Sequence, residues 1–360
     1  MRKPMACAFF MRNDNHLMPK LLRVAPLAAA LLLLPLCGSA QSPIPPLAKT
    51  QRTDIAALTP WLFVGFKGNS EDGVYYALSP DGYHWILANG GKPVVPQTEP
   101  NELMRDPFIA RGPDGVFHMV WTWSWRTPTV VGHATSKDLI HWTRHQQLPV
   151  MANEPTALNV WAPALSYEPD HKRWLIFWSS TIPGRFPGDD SGDGGLNHRI
   201  WSTTTTQFTS FTPAKIFFDP GYSVIDASLI QPGSDKKSVL IFKDERKTPL
   251  KKYLETADGP TPEGPWTHIS PPISETWSEG AAIIPVHGGF LAYYDHYRTP
   301  QHYGALFSSD LTSPWTDATN QITFPAGLRH GSFVSLTEEE YDRIAALKPQ
   351  TAPSPESPKP

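Results

Sequence analysis

Cysteine is nearly missing from this chain of 360 residues, which holds two, Cys7 and Cys37. Both lie in the first forty positions, so the remainder has no disulfide, no thiolate metal site and no thiol nucleophile. It must be stable by core burial alone. A basic excess is also missing: 31 Lys and Arg stand against 34 Asp and Glu, a net charge of -3. That balance leaves no electrostatic footprint for a nucleic acid. Charged residues make up 18% and hydrophobic ones 40%, a composition that excludes disorder for most of the chain. What the sequence does have is 39 Pro, 13 Trp and 11% aromatics. Such a composition argues against a helical bundle and for a β-rich, turn-rich fold.

Long apolar runs are equally scarce, Val24–Cys37 being the one example. It follows Lys20 and Arg23, contains Leu31 to Leu34, and exits through Gly38-Ser-Ala-Gln41. A basic flank, a short apolar core and small exit residues predict a secretory signal peptide over 1–40, cleaved near Ala40. The expected location is therefore periplasmic or secreted, with no stable membrane insertion, because the run is short for a bilayer span. An uncleaved anchor and a lipoprotein at Cys37 are the alternatives, and the bulky Leu36 disfavours the second. Met18 is an alternative start, opening a better-proportioned leader than Met1. Five basic residues and one acid lie in the leader, which leaves 26 basic against 33 acidic, a net -7. Residues 41–58 read as a linker, and 348–360, rich in Pro, Ser and Thr, as a disordered tail.

Between them one theme recurs, a β-type run, a Ser- or Asp-containing turn and an aromatic. It is seen at Leu78–Trp85, Ala134–Trp142, Ser202–Phe211, Thr256–Trp266 and Phe307–Trp315. Five repeats spaced by tens of residues predict a β-propeller with five blades. The first repeat has only Trp61–Phe66 and Val74–Leu78 before it, and the chain closes with one more strand at Arg329–Leu336. The expected fifth blade joins these N-terminal strands to that C-terminal strand, which removes a free sheet edge. Thr337 with Glu340 has the spacing of a capping box for a short final helix. A β-sandwich pair with coincidental repeats is the alternative fold.

In a propeller the innermost strand of each blade lines the central channel. The starts of those strands carry Asp106, Trp161, Asp226, Glu279 and His330, read here as occupying one phase of successive repeats. A carboxylate beside an apolar run is costly unless paired or used. Three carboxylates and an aromatic around one pocket suit glycoside hydrolysis, in which one acid protonates the leaving oxygen and one carboxylate activates water. A third holds the proton on the acid by like-charge proximity.

These residues also carry a resemblance. Arg-Asp-Pro-Phe-Ile at 105–109, Trp-Ala-Pro at 161–163, Val-Ile-Asp at 224–226, Ser-Glu-Gly at 278–280 and Arg-His-Gly at 329–331 resemble, in order, the blade motifs of glycoside hydrolase family 43. That five-bladed superfamily contains arabinofuranosidases, xylosidases, arabinanases and galactosidases. The resemblance implies an inverting mechanism with Asp106 as general base, Asp226 as the pKa-modulating carboxylate and Glu279 as general acid. It further implies Trp161 at the sugar subsite and His330 near the channel axis, beside substrate or a water-coordinated cation such as calcium. No cofactor is otherwise expected, and the expected partner is an oligosaccharide or polysaccharide. Ala227 and Ala281 stand where many members have Pro, which leaves the sugar open.

Lys243-Asp-Glu-Arg246 reads as a solvated charge cluster, with a place at the pocket rim as the alternative. Trp125 is a candidate sugar platform and Arg298 a candidate ligand for a sugar hydroxyl or carboxylate. The acids of Pro187–Gly195 match no EF-hand spacing and read as a solvated loop. No His spacing suits zinc. A non-catalytic carbohydrate-binding propeller and, using Arg298, Arg329 and His330 for phosphate, a glycoside phosphorylase are the competing functions. The fructan-cleaving families share Arg-Asp-Pro but need a later Glu-Cys, which the chain beyond residue 40 lacks.

Overall fold

The computed structural model describes residues 59–68, 72–186, 192–231 and 237–349. The expected leader and linker, most of the acidic 187–195 loop and all but two residues of the tail lie outside these. Pro349 is described and packs over Gly90.

The chain opens with β1 (Trp61–Lys67), β2 (Gly73–Ser79), β3 (Ile86–Leu87) and β4 (Val95–Pro96). Blade one follows as β5 (Arg105–Arg111), β6 (Phe117–Thr122), β7 (Val131–Ser136) and β8 (Gln146–Leu148). Blade two is β9 (Trp161–Glu168), β10 (Arg173–Ser180), β11 (Arg199–Thr205) and β12 (Lys215–Phe218). Blade three has β13 (Val224–Ile230), β14 (Ser238–Asp244) and β15 (Leu254–Gly259). Blade four has β16 (Ser278–Val286), β17 (Gly289–His296), β18 (His302–Ser308) and β19 (Thr316–Asp317). Last comes β20 (Leu328–Ser335), and it pairs with β1 so that the fifth sheet runs β20-β1-β2-β3, with β4 also on β2. The protein is a five-bladed propeller closed by its last strand, as the repeat predicts.

The alternation of a strand explains why its second strands read as unbroken apolar runs. Leu62 and Val64 pack with Phe117 and Trp121 of blade one, while Trp61 and Phe63 pack with Leu291 and Tyr293 of blade four. Successive side chains point to opposite faces, and in a ring both faces meet a neighbouring blade. The same division splits Ile176 from Leu175 and Phe177, and Ile241 from Leu240 and Phe242. Five apolar layers thus lie between consecutive blades.

The recurrent turn also has a physical cause. Asp81 Oδ1 accepts the amides of Tyr83 and His84 at 2.7 and 2.9 Å, and its Oδ2 holds His84 Nδ1 at 2.7 Å. Asp138 repeats the arrangement with Ile140 and His141. The aromatic that follows is turned onto the preceding blade: Trp85 Nε1 donates to Tyr293 Oη at 3.1 Å, and Trp142 Nε1 to Tyr76 Oη at 3.0 Å. The repeat is an inter-blade staple.

The final helix α1 (Glu338–Ala345) begins with the expected capping box of Thr337 and Glu340. Glu340 also receives both terminal nitrogens of Arg111 at 2.7 Å, which ties α1 to blade one. Among the described residues no helix is long and apolar enough to cross a membrane.

Candidate active site

Strand pairing slips at the start of each inner strand. Between Arg105 and Phe108, Trp161 and Ala164, Ile225 and Ser228, and Glu279 and Ala282, two residues face one on the partner strand. The first of each bulged pair is left-handed: Asp106 (φ 52°), Ala162 (47°), Asp226 (57°) and Gly280 (60°). In β20 the slip leaves His330 unpaired between Arg329 and Gly331. A bulge bends the strand and re-aims side chains, here at the mouth of the ring. The single-phase reading is thereby corrected. Asp106, Asp226 and His330 share the bulged position, while Trp161 and Glu279 sit one residue ahead of it. The bulge makes adjacent positions both available to the axis, so a fixed period misplaces two of the five.

His330 sits between two carboxylates. Its Nδ1 lies 3.3 Å from Asp106 Oδ1 and 3.8 Å from Asp226 Oδ2. Thr122 donates to Asp106 Oδ2 at 2.7 Å, and its oxygen accepts the Ala162 amide at 2.8 Å, so blades one and two are joined at the base of the site. The Gly280 amide donates to Asp226 Oδ2 at 3.3 Å. Gly280 also makes room for the histidine, because a Cβ there would stand 2.3 Å from His330 Cγ. Glu279 is clamped by two cations: Lys243 Nζ donates to its Oε2 at 2.9 Å and Arg329 Nη2 to its Oε1 at 2.8 Å. Arg329 donates in turn to Asp295, which Gln301 also holds at 2.9 Å.

The electrostatics separates the three carboxyls. Burial pushes Asp106 up, but His330, Arg105 and the Thr122 hydroxyl outweigh it and hold Asp106 well below the usual range. Burial, with Glu279 and Asp106 adding to it, pushes Asp226 up to about 7 against the pull of His330 and Lys243. Burial opposes ionisation of Glu279 too, yet Lys243, Arg329 and His330 keep it below its ordinary value. For His330, burial favours the neutral ring, and Asp226 and Asp106 override it to raise the imidazole to about 9. These opposing pulls favour carboxylates at Asp106 and Glu279 and an imidazolium at His330, and make Asp226 the carboxyl of the three most disposed to keep a proton.

Trp161 precedes Ala162, whose amide meets Thr122 beside Asp106, and its Nε1 donates to the Trp125 carbonyl at 3.0 Å. The two indoles meet edge to face at 6.0 Å, and Trp125 is 48% exposed. Arg105 lies between Phe66 and Trp125, at 4.2 and 4.6 Å from their rings. Behind Trp161, at 5.0 Å, is the buried His198, whose ring nitrogens have no protein partner among the described residues. Arg298 is exposed and stacks on Trp277 at 4.0 Å, and among the described residues it makes no ion pair with the acidic group.

Two expectations change. Lys243-Asp-Glu-Arg246 is not a solvated cluster: Lys243, Asp244 and Glu245 are 2%, 0% and 5% exposed, and only Arg246 reaches solvent, paired to Asp244. Each charge has an opposite partner, which is what permits burial. The signal was the position of Lys243, directly after Val239–Phe242 on a strand buried on both faces. Nor do Arg329 and His330 form a cationic phosphate pocket, since each already faces two carboxylates. The axial carboxylates form no cage of six to eight oxygens such as calcium takes from protein alone: Asp106 and Asp226 are turned to His330, and Glu279 to Lys243 and Arg329. In another potential trio of ligands, Glu168, His171 and Glu263, both carboxylates are engaged by cations, Glu168 by Arg173 and Glu263 by Arg173 and Lys215.

Residues 57–342 match a family related to glycoside hydrolase family 43 and described as a probable glycosyl hydrolase domain. An α-L-arabinofuranosidase of Bifidobacterium longum subsp. longum is 25% identical over 210 residues, covering 51% of this chain and 19% of the relative. This chain thus spans about a fifth of the length of the curated relative it matches. Among solved structures, the Lactobacillus brevis α-L-arabinofuranosidase is similar at 18% identity, covering 59% of this chain and 72% of that one, with a TM-score of 0.45. An exo-β-1,3-galactanase of Phanerochaete chrysosporium with galactose gives 14%, 60%, 50% and 0.47 for the same quantities. The xylan β-1,4-xylosidase of Bacillus halodurans C-125 gives 15%, 62%, 43% and 0.47. With the family matching from the first strand to the last helix, this chain belongs to the glycosyl hydrolases related to glycoside hydrolase family 43.

Proposed function

We propose that the protein is an inverting glycoside hydrolase that removes terminal arabinofuranosyl, xylosyl or galactosyl sugars from plant or algal polysaccharide fragments. The observation that carries this reading is the convergence of Asp106, Asp226 and Glu279, from three different blades, around the single side chain of His330 or its neighbour Arg329. Asp106, ionised and oriented by Thr122, takes a proton from water as the water oxygen attacks the anomeric carbon. Glu279 gives a proton to the departing glycosidic oxygen on the other face, and the bond to that oxygen breaks. The net result is one water consumed and the anomeric configuration inverted.

Glu279 with both oxygens on cations does not carry the proton before substrate arrives. Asp226, pushed up by burial and two like charges, is better placed to hold it, and the two carboxyls titrate as a pair. A sugar that displaces water from Glu279 disfavours the charge there, and the proton passes from Asp226 to Glu279, leaving Asp226 as the carboxylate against His330. Trp161 and Trp125 offer apolar faces to the ring.

The test is a panel of aryl arabinofuranosides, xylosides and galactosides, with the first-formed sugar followed by proton NMR. An inverted anomer is expected, and retention would overturn the mechanism. Binding without release across the panel would favour a carbohydrate-binding propeller. Because His330, Lys243 and Arg329 supply the positive charge at the axis, exhaustive chelation is expected to leave kcat/KM and Tm unchanged. Loss of activity restored by calcium would contradict that.

A further inference from the structure

Glu279 is one end of a longer series. Lys243 Nζ, 2.9 Å from Glu279, is also 3.0 Å from Glu245 Oε2. Glu245 Oε1 meets Lys252 Nζ at 2.5 Å, and Lys252 reaches Asp193 Oδ2 at 3.0 Å. The side chains of Lys243, Glu245 and Lys252 are 3%, 6% and 0% exposed, whereas Asp193 is 61% exposed and also meets the exposed Lys247 at 3.6 Å. Negative and positive groups therefore alternate from the axis to the surface. Burying such charges costs several kcal/mol per ion before pairing, and apolar side chains of similar size often do as well or better for stability. Core filling alone does not account for the arrangement. Its inner end touches the carboxyl that must gain and lose a proton.

We propose that Lys243, Glu245 and Lys252 are positioning residues for Glu279, and with Asp193 form a line of alternating charge that sets how readily Glu279 takes up its proton. The proposal rests on the reading of Glu279 as the acid. Other groups that face Glu279 are Asp226 from β13, Asp295 from β17 with Tyr297 just beyond it, and Arg329 and His330 from β20. All of them are within the ring or against it. Among the described residues, the line through Lys243 is the one that leads to an exposed acid. It makes the site responsive to what happens at the turn around Asp193: a cation bound there, or a change in its charge, reaches Glu279 with a sign set by the order of the groups.

That sign is the test. Removing an anion from the line leaves Lys243 less compensated, which favours carboxylate at Glu279; removing a cation does the opposite. In full-length protein labelled with carboxyl-13C glutamate, the Glu279 signal is identified by its loss in Glu279→Gln and titrated. Lys252→Met is expected to raise its midpoint and Glu245→Gln to lower it, each by about one pH unit. Asp193→Asn lowers it by a few tenths of a unit, being solvent-screened, and Lys252→Arg restores the parent value. Asp193 is on the surface, so its variant keeps the test available if a buried variant fails to fold. A midpoint unmoved by all three substitutions, or moved in one direction by all three, would overturn the proposal. Because Glu279 takes its proton from Asp226 before it acts, the plateau of kcat/KM should follow the midpoint, higher in Lys252→Met and lower in Glu245→Gln. If the NMR midpoint moves and that plateau does not, the charge line stands and the role of Glu279 as acid falls.

Discussion

Glu279→Gln is expected to lower kcat/KM by about 10²- to 10⁴-fold on substrates with poor leaving groups, the usual worth of a positioned general acid. Dinitrophenyl glycosides, whose leaving group needs little help from a proton, should lose far less. The amide matches the carboxylate in shape and keeps an oxygen for one of its two cationic partners, Lys243 or Arg329. Folding must be followed alongside, because Lys243 then leans on Glu245 alone. A general acid makes its contribution only as the bond breaks, so the deficit should fall in kcat with KM little changed. Asp106→Asn makes a useful contrast. A base is needed whatever the leaving group, so its loss should be similar for both substrate classes. Equal losses across leaving groups for Glu279→Gln would remove it from the role of acid.

Gly280→Ala is expected to be among the most damaging single-methyl additions in the molecule. Its φ of 60° costs an L-residue about 1–2 kcal/mol. The added carbon would stand 2.3 Å from His330 Cγ and 2.5 Å from Cδ2. Overpacking of this kind adds about 1–3 kcal/mol, and the ring cannot retreat without leaving Asp106 and Asp226. We expect a loss of about 2–5 kcal/mol in urea unfolding, from those two figures, together with loss of activity. A double-mutant cycle identifies the cause. His330→Ala by itself removes the cation between two acids and is costly, about 3–5 kcal/mol. Adding Gly280→Ala to it should cost only the backbone term, so the pair falls short of additivity by about 1 kcal/mol or more. Strict additivity would mean that the glycine and the histidine do not contend for the same space.

The ring was legible because its cause is local and repeated. Ser79-Pro-Asp81 and Ser136-Lys-Asp138 build the same turn and the same staple, and such a device can be read wherever its residues recur. Closure by β20 was legible from an N-terminal half-blade that needed a partner. Asp106, Asp226, Glu279, Trp161 and His330 were legible as strand-start residues, and the structure gathers the three acids with His330 and Arg329, Trp161 adjoining the Ala162 amide that Thr122 accepts. Their relative phase was not, because a bulge inserts a residue without leaving a mark in periodicity. The partners of Glu279 were harder. Lys243 is 36 positions away and Arg329 is 50, and a sequence shows charges without showing which of them face inward. Lys243 to Arg246 looked hydrophilic as a string, and only pairing explains how three of its four members are enclosed. Thr122 and Asp295 act as second partners of site residues, a role that no residue type announces.

The fastening of the ring by β20 has a temporal side. β1 is translated roughly 270 residues before the strand it pairs with, a very distant contact by the standards of folding kinetics. Until β20 arrives, β1 has an unpaired edge and the growing polypeptide is an open arc. The same strand delivers Arg329 and His330, the counter-charges of Glu279, Asp295, Asp106 and Asp226. An unfinished or nicked ring would thus leave Asp106, Asp226 and Asp295 without these partners and Glu279 on Lys243 alone, and repulsion among their charges would press the arc apart. Topological completion and the assembly of a working site are one event, so the molecule has no stage at which it is partly closed and already competent.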